Sequence, residues 1–208
     1  LVDSVNKIIA LADGTTLNGT ASYLTTADIT ALGLGTIINT TSELSLFNQI
    51  LDRASLTSID TALKVTNIAS IVDRIMTTAA GSTPTPALTA ADFTTIGISN
   101  VTTLNLPGVI SAIASTTDDG TGVDTLVELE NIVNTPIQSL NKISAYADNN
   151  GLDTTTYPIP TLTDYLNVGI IGVSESNLGI INSYLATSVI TGTNTDSIVE
   201  VQSLVDSV

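Results

Sequence analysis

Cysteine, histidine and tryptophan are absent from this chain of 208 residues, and lysine and arginine together number five. Each absence removes a class of function. Without Cys there is neither a disulfide framework nor thiolate chemistry. Without His the commonest general base, the usual serine-hydrolase triad and most zinc sites are gone. The few cations, Lys7, Lys64, Lys142, Arg53 and Arg74, stand singly in the sequence and suggest no anion clamp. Lys7 and Lys142 read as surface residues with packed stems. Twenty acids against five bases give a net charge of −15. Such a field repels phosphate backbones and anionic lipid, so nucleic acid and membrane-surface partners are disfavoured. The longest apolar run, around residues 168–173, falls far short of the ~18 residues a membrane span requires, so no membrane insertion is expected. No charged leader followed by an apolar stretch is visible.

What is present is aliphatic and uncharged. Hydrophobic residues make up 43% of the chain, but aromatics only 3% and charged residues 12%. Cores must therefore be built from Ile, Leu, Val and Ala, and the surface mainly from Thr, Ser and Asn.

Internal repetition organises this material. LTTADITALGL (24–34), LTAADFTTIGI (88–98) and PTLTDYLNVGI (160–170) align on Asp28, Asp92 and Asp164, which are nearly evenly spaced along the chain. SVNKIIALAD (4–13) matches SLNKISAYAD (139–148) at seven of ten positions. LVDSV stands at both 1–5 and 204–208. If these two segments share one phase, a fourth aspartate would follow Asp164 at an interval between the two already seen. The expectation is an excerpt from a longer array, cut within a helix.

Each repeat predicts three helices. Thr25, Thr89 and Thr161 precede Asp28, Asp92 and Asp164 by three, the spacing of a capping box. Gly33, Gly97 and Gly169 then supply the left-handed stop of a helix of about two turns. Thr40, Thr102 and Ser174, each three residues before Glu43, Asn105 and Asn177, cap a second helix. Pro107 confines the middle copy's second helix to starting there or being distorted. A third, longer helix follows Asp60, Asp124 and Asp196, with Asp124 and Asp196 as candidate N-caps. A break or kink is expected at Pro136. Short helices of this kind are marginal alone and need mutual burial.

The predicted fold is therefore all-α, a tandem array of three small helical-bundle modules of about three helices each. Shared long helices join them, rod-like or superhelical. The boundaries fall at 14–80, 81–148 and 149–208, the last continuing into 1–13 of a next unit. A compact nine-helix globule is the alternative. The loops GTTLNGTASY and NNGLDTTTYPIP are expected to be exposed.

No residue is assigned a catalytic, cofactor-binding or metal-ligating role. Three equivalent aspartates argue for structure over a single active site, and Glu128 and Glu200 read as solvated helix positions. Ca²⁺ has two oxygen-rich, Gly-containing turns to consider, Asp118, Asp119 and Asp124 around two glycines, and Asp148, Asn150 and Asp153 around Gly151. Neither fits the twelve-residue EF-hand loop, so ordinary acidic turns are the favoured reading.

The T-x-x-D box, the D-x₄-G-[LI] stop, the [NE]-L helix and the D-[TS]-x-x-[EK] start together resemble the tandem helical repeats of very large, acidic bacterial surface and adhesin-like proteins. That resemblance implies a secreted or cell-surface segment acting as spacer, scaffold or filament former, with neighbouring copies of itself as partners. An adhesin-type module recognising a host protein or glycan is the alternative, and an enzyme is not expected.

Overall fold

The computed structural model of the chain describes residues 1–14, 23–117 and 119–208. Among them are ten α-helices: α1 (Val2–Leu11), α2 (Thr26–Ala31), α3 (Thr41–Arg53), α4 (Ala62–Ala79), α5 (Ala90–Thr95), α6 (Leu106–Ala114), α7 (Leu126–Asp148), α8 (Leu162–Val168), α9 (Leu178–Leu185) and α10 (Ile198–Asp206). Two 3₁₀ turns, Leu56–Ser58 and Gly192–Asn194, precede α4 and α10. Among the described residues β structure is confined to one isolated bridge between Asp13 and Ser55. The chain is all-α, as its composition and periodicity predict.

The helix punctuation has the expected chemistry. Thr25, Thr89 and Thr161 each form a full capping box with Asp28, Asp92 and Asp164, opening α2, α5 and α8. The stops are equally regular. Gly33, Gly97 and Gly169 take positive φ, and the next amide reaches back to Ile29, Phe93 and Tyr165 respectively. That six-to-one closure needs a left-handed residue before it, which glycine adopts without a Cβ clash. Thr40 and Glu43 form a capping box on α3, and the Oδ1 atoms of Asn105 and Asn177 accept the amides of Thr102 and Ser174. α6 begins at Leu106, so Pro107 sits in its first turn, where no amide is needed.

Three expectations are corrected. The third helices are capped not by Asp124 and Asp196 but by the hydroxyl residue after each, Thr125 and Ser197, as Thr61 caps α4. Glu128 and Glu200 are not merely solvated. Each carboxylate accepts the amide of its N-cap residue, so both belong to capping boxes. α7 also runs unbroken through Pro136 for 23 residues, about 34 Å at the α-helical rise. A proline removes a single backbone bond, which the remaining turns of a long helix tolerate.

Residues divide into two compact units: Leu1–Ser99 with Ile113–Glu130, and Asn100–Ala112 with Asn131–Val208. Two of their boundaries fall inside α6 and α7, and the third lies between α5 and α6. In the first unit α3 packs on α4 and α1, and α1 on α2. Leu11, Ile29, Phe47, Leu51, Ile71 and Ile75 are almost wholly buried there. In the second, α7 contributes Leu140, Ile143 and Ala147 to a core completed by Tyr165, Ile181, Leu185 and Val201 from α8, α9 and α10. The segment 152–159 is exposed, as expected, whereas most of GTTLNGTASY lies outside the described residues.

Two buried asparagines, Asn48 in the first unit and Asn182 in the second, each hold a distant chain segment. Asn48 on α3 accepts the amide of Leu24 at 2.8 Å and donates to its carbonyl at 3.0 Å. Asn182 on α9 likewise donates to the carbonyl of Pro160, the residue aligned with Leu24, at 2.8 Å. Proline has no amide to offer, so Oδ1 of Asn182 would be orphaned. Instead the Tyr165 hydroxyl donates to it at 2.7 Å, from the position that Ile29 holds in the first repeat. The two changes compensate, and no described buried side-chain polar atom lacks a partner. Removing one member leaves a buried group unsatisfied, which costs about 1–3 kcal/mol. Tyr165→Phe is therefore expected to lower stability by about 2 kcal/mol in urea denaturation, and Asn48→Ala to cost at least as much. Unchanged midpoints for both variants would contradict these roles.

Candidate functional site: repeated ion pairs and an apolar groove

One polar constellation recurs three times. Lys7 Nζ meets Asp28 Oδ2 at 2.7 Å, Arg74 grips both oxygens of Asp92 at 2.7 and 2.8 Å, and Lys142 Nζ meets Asp164 Oδ2 at 2.6 Å. In each case the cation comes from within the longer helix that precedes, α1, α4 or α7, and the carboxylate is the one already closing the capping box. The carboxylate thus faces three positive features together: the side-chain cation, the N-cap amide and the N-terminus of its own helix. Arg53 and Arg74, isolated in sequence, are engaged by the chain's own carboxylates, and Lys7 and Lys142, read as surface residues with packed stems, carry ion pairs as well. Arg53 pairs with Glu130 and donates to the carbonyl of Ile96. The signal available in the sequence was positional: Arg74 precedes Asp92 at an interval only slightly shorter than those by which Lys7 and Lys142 precede Asp28 and Asp164.

The three pairs differ in depth. Arg74 and Asp92 side chains are 8% and 14% exposed, whereas Lys7 is 34% exposed and Lys142 25%. The Lys7 hydrogen bond, aided by Thr25 and Ser4, holds Asp28 far below the usual carboxylate range. Burial pushes Asp92 and Asp164 up, but hydrogen bonds from Arg74 and Lys142, joined by those of Thr89 and Thr161, outweigh it and leave both lowered. A second set moves the other way. Burial raises Asp52, against the Tyr23 hydroxyl, and burial followed by the nearby Glu43 raises Asp73.

The carboxylates at the starts of α7 and α10 are pairs of split affinity. Burial and Glu128 push Asp124 up while Thr125 holds Glu128 down. Glu200 pushes Asp196 up, and Ser197 holds Glu200 down. Divergent carboxyls are an ingredient of acid–base catalysis. Here both glutamates are committed to helix caps, and neither pair borders the groove described below. The first repeat has Lys64 in place of the glutamate, paired with Asp60 at 2.8 Å.

The turns weighed for Ca²⁺ use their oxygens internally. Asp119 Oδ1 accepts from the amide and hydroxyl of Thr121, Asp153 Oδ1 from the amides of Thr155 and Thr156, and Asp148 Oδ1 from the amide of Gly192. Asp118 lies outside the described residues. Among those described, no group of three or more acidic, His or Cys side chains is arranged to hold a metal ion. No described helix is long and apolar enough to cross a membrane.

One concavity among the described residues is apolar. A groove of about 560 Å³ in the first unit runs between α1, the end of α2 and the start of α4, with Leu1, Val5, Ile9, Leu32, Leu56 and Ala62 among its lining. Nothing in the hydrophobic pattern sets these residues apart from those that enter the core. The chain matches no protein-family model, no curated protein and no solved structure.

Breaking a largely buried ion pair by removing one partner costs about 3–5 kcal/mol, against about 1 kcal/mol or less for exposed pairs. Arg74→Ala is therefore expected to destabilise most, Lys142→Ala and Lys7→Ala far less; equal effects in chemical denaturation would refute the ranking. The pH response follows from the same groups. Asp92 and Asp164, lowered on folding, stabilise fully above the ordinary aspartate value of 3.8, and that contribution is lost as pH falls below it. Asp52 and Asp73, raised on folding, oppose stability near neutrality and relax as pH falls toward 3.8. Thermal melts should thus show Tm rising from pH 7 into the weakly acidic range, then dropping below 3.8, with a shallower acid limb in Asp92→Asn.

Proposed function

We propose that this chain is a non-enzymatic structural segment of an extracellular or cell-surface protein, a spacer, scaffold or filament-forming piece that works through contacts with neighbouring copies. The carrying observation is the threefold recurrence of one constellation: a cation, a capping-box aspartate and a left-handed glycine stop. A site evolved for chemistry concentrates its charged groups once. Here the charged groups are spread over equivalent positions and spent on holding helices, which supports three tandem modules over 14–80, 81–148 and 149–208. The cation at the end of one module reaches the first helix of the next, so the clamp acts as a joint that repeats with the module. The resemblance to repeat segments of very large acidic bacterial surface proteins supports the same reading, as does the Thr-, Ser- and Asn-rich surface.

One observation favours a second reading, an adhesin-type module for a host protein or glycan: the apolar groove is a feature of the first repeat. Electron microscopy of the protein, alone and at high concentration, tests the primary proposal. Elongated particles or fibres are expected, and compact isolated particles under all conditions would overturn it. Capture of one defined host protein by the groove, abolished by a charge at Val5, would move the assignment to the second reading.

A further inference from the structure

The repeats differ in one respect that points to a partner. Aligned by their caps, α3, α6 and α9 place Phe47, Val109 and Ile181 at one position and Leu51, Ile113 and Leu185 at another, all almost completely buried. One stripe of each helix breaks that agreement. On α3 the stripe is Ser42, Leu46, Gln49 and Arg53. Ser42 donates to the carbonyl of Asp119, Gln49 accepts the amide of Leu126, and Arg53 binds Glu130 and the carbonyl of Ile96. The stripe of α3 thus lies over the start of the next repeat's third helix and the end of its first. On α6, the buried Gly108 occupies the place of Leu46. A Cβ there would come within 2.8 Å of Ile198, 3.3 Å of the Val168 carbonyl and 3.4 Å of Pro136. Ile198 and Val168 align with Leu126 and Ile96, so α6 seats on the same surface one repeat later.

The third helix of this series is uncovered, and so is the first surface. On α9 the corresponding residue is Ile180, 61% exposed where Leu46 is 0%, beside the exposed Tyr184. In the first repeat, the residues aligned with Ile198, Val168 and Pro136 are Ala62, Leu32 and Leu1. All three line the apolar groove. Val5 in that groove is 40% exposed, whereas its counterparts Val72 and Leu140 are 0% and 3% exposed. Resting on the scaffold reading above, we propose that the groove receives the Ile180 face of α9 from a second copy of this chain, in a head-to-tail contact.

Size and charge both match. Glycine faces isoleucine where Gly108 meets Ile198; the proposed contact reverses this, with Ile180 facing Ala62, conserving volume as close packing requires. Where Arg53 meets Glu130, the aligned residues are Thr187 and Thr66, both uncharged. Because the two surfaces differ, the contact is heterologous and propagates instead of closing a symmetric dimer.

The cysteine-free background permits a direct test. Chains carrying Ala62→Cys and Ile180→Cys, one isotope-labelled, are mixed and oxidised, and the mixed disulfide dimer is quantified by mass spectrometry. Leu63→Cys, exposed but outside the groove, replaces Ala62→Cys as the control. The mixed dimer should exceed the control pair at least about tenfold, which corresponds to a contact preference of ~1.4 kcal/mol. Yields equal to the control would overturn the contact. Both positions are exposed, so folding is not at stake. Fibres in the microscope without the selective disulfide would sink this contact and leave the scaffold reading standing. The selective disulfide without elongated particles would do the reverse.

Discussion

Everything in this chain turns on where a small number of charges are put. With five cations against twenty acids, self-repulsion opposes compactness, and each cation placed against a carboxylate relieves it locally. Lys7, Arg74 and Lys142 are placed on carboxylates that cap helices. One side-chain oxygen then does two things: it satisfies the open amides of a two-turn helix and ties that helix to a longer one. Helices of six or seven residues have almost no intrinsic stability. They persist because their first turn is anchored from outside.

The anchoring explains the distribution of sequence variation among the repeats. Residues at the clamp keep their chemistry, Thr, Asp and Gly recurring in register, with Arg substituting for Lys at the most buried of the three. Residues beyond it vary, but in compensating sets. Pro160 removes an amide and Tyr165 supplies the hydroxyl that replaces it. Gly108 opens space that Ile198 fills. Such local exchanges keep buried polar groups satisfied and packing dense while the side chains change, as cores tolerate when total volume and pattern are kept.

The same logic connects the fold to the functional proposals. Of the carboxylates weighed for metal binding, Asp119, Asp148 and Asp153 accept from a threonine hydroxyl or backbone amides, and the three capping aspartates also meet cations. What is left over is apolar, a groove on one repeat and an exposed helix face on another. These are the two surfaces that the proposed head-to-tail contact would bring together.

Composition and spacing alone determined the all-α class, the three capping boxes, their glycine stops and the absence of histidine or thiol chemistry. These are local: a hydroxyl three residues before a carboxylate, or a glycine after an apolar turn, acts within one helical turn of itself. Tertiary structure decided the rest. That Arg74 reaches Asp92, that Thr125 and not Asp124 caps α7, that α7 carries Pro136 without a break, and that Ile180 is bare where Leu46 is covered all depend on groups brought together across the chain. A cation's partner on the following helix is fixed by helix packing, which no local pattern encodes, and burial of one face in place of another is a property of the neighbour that covers it.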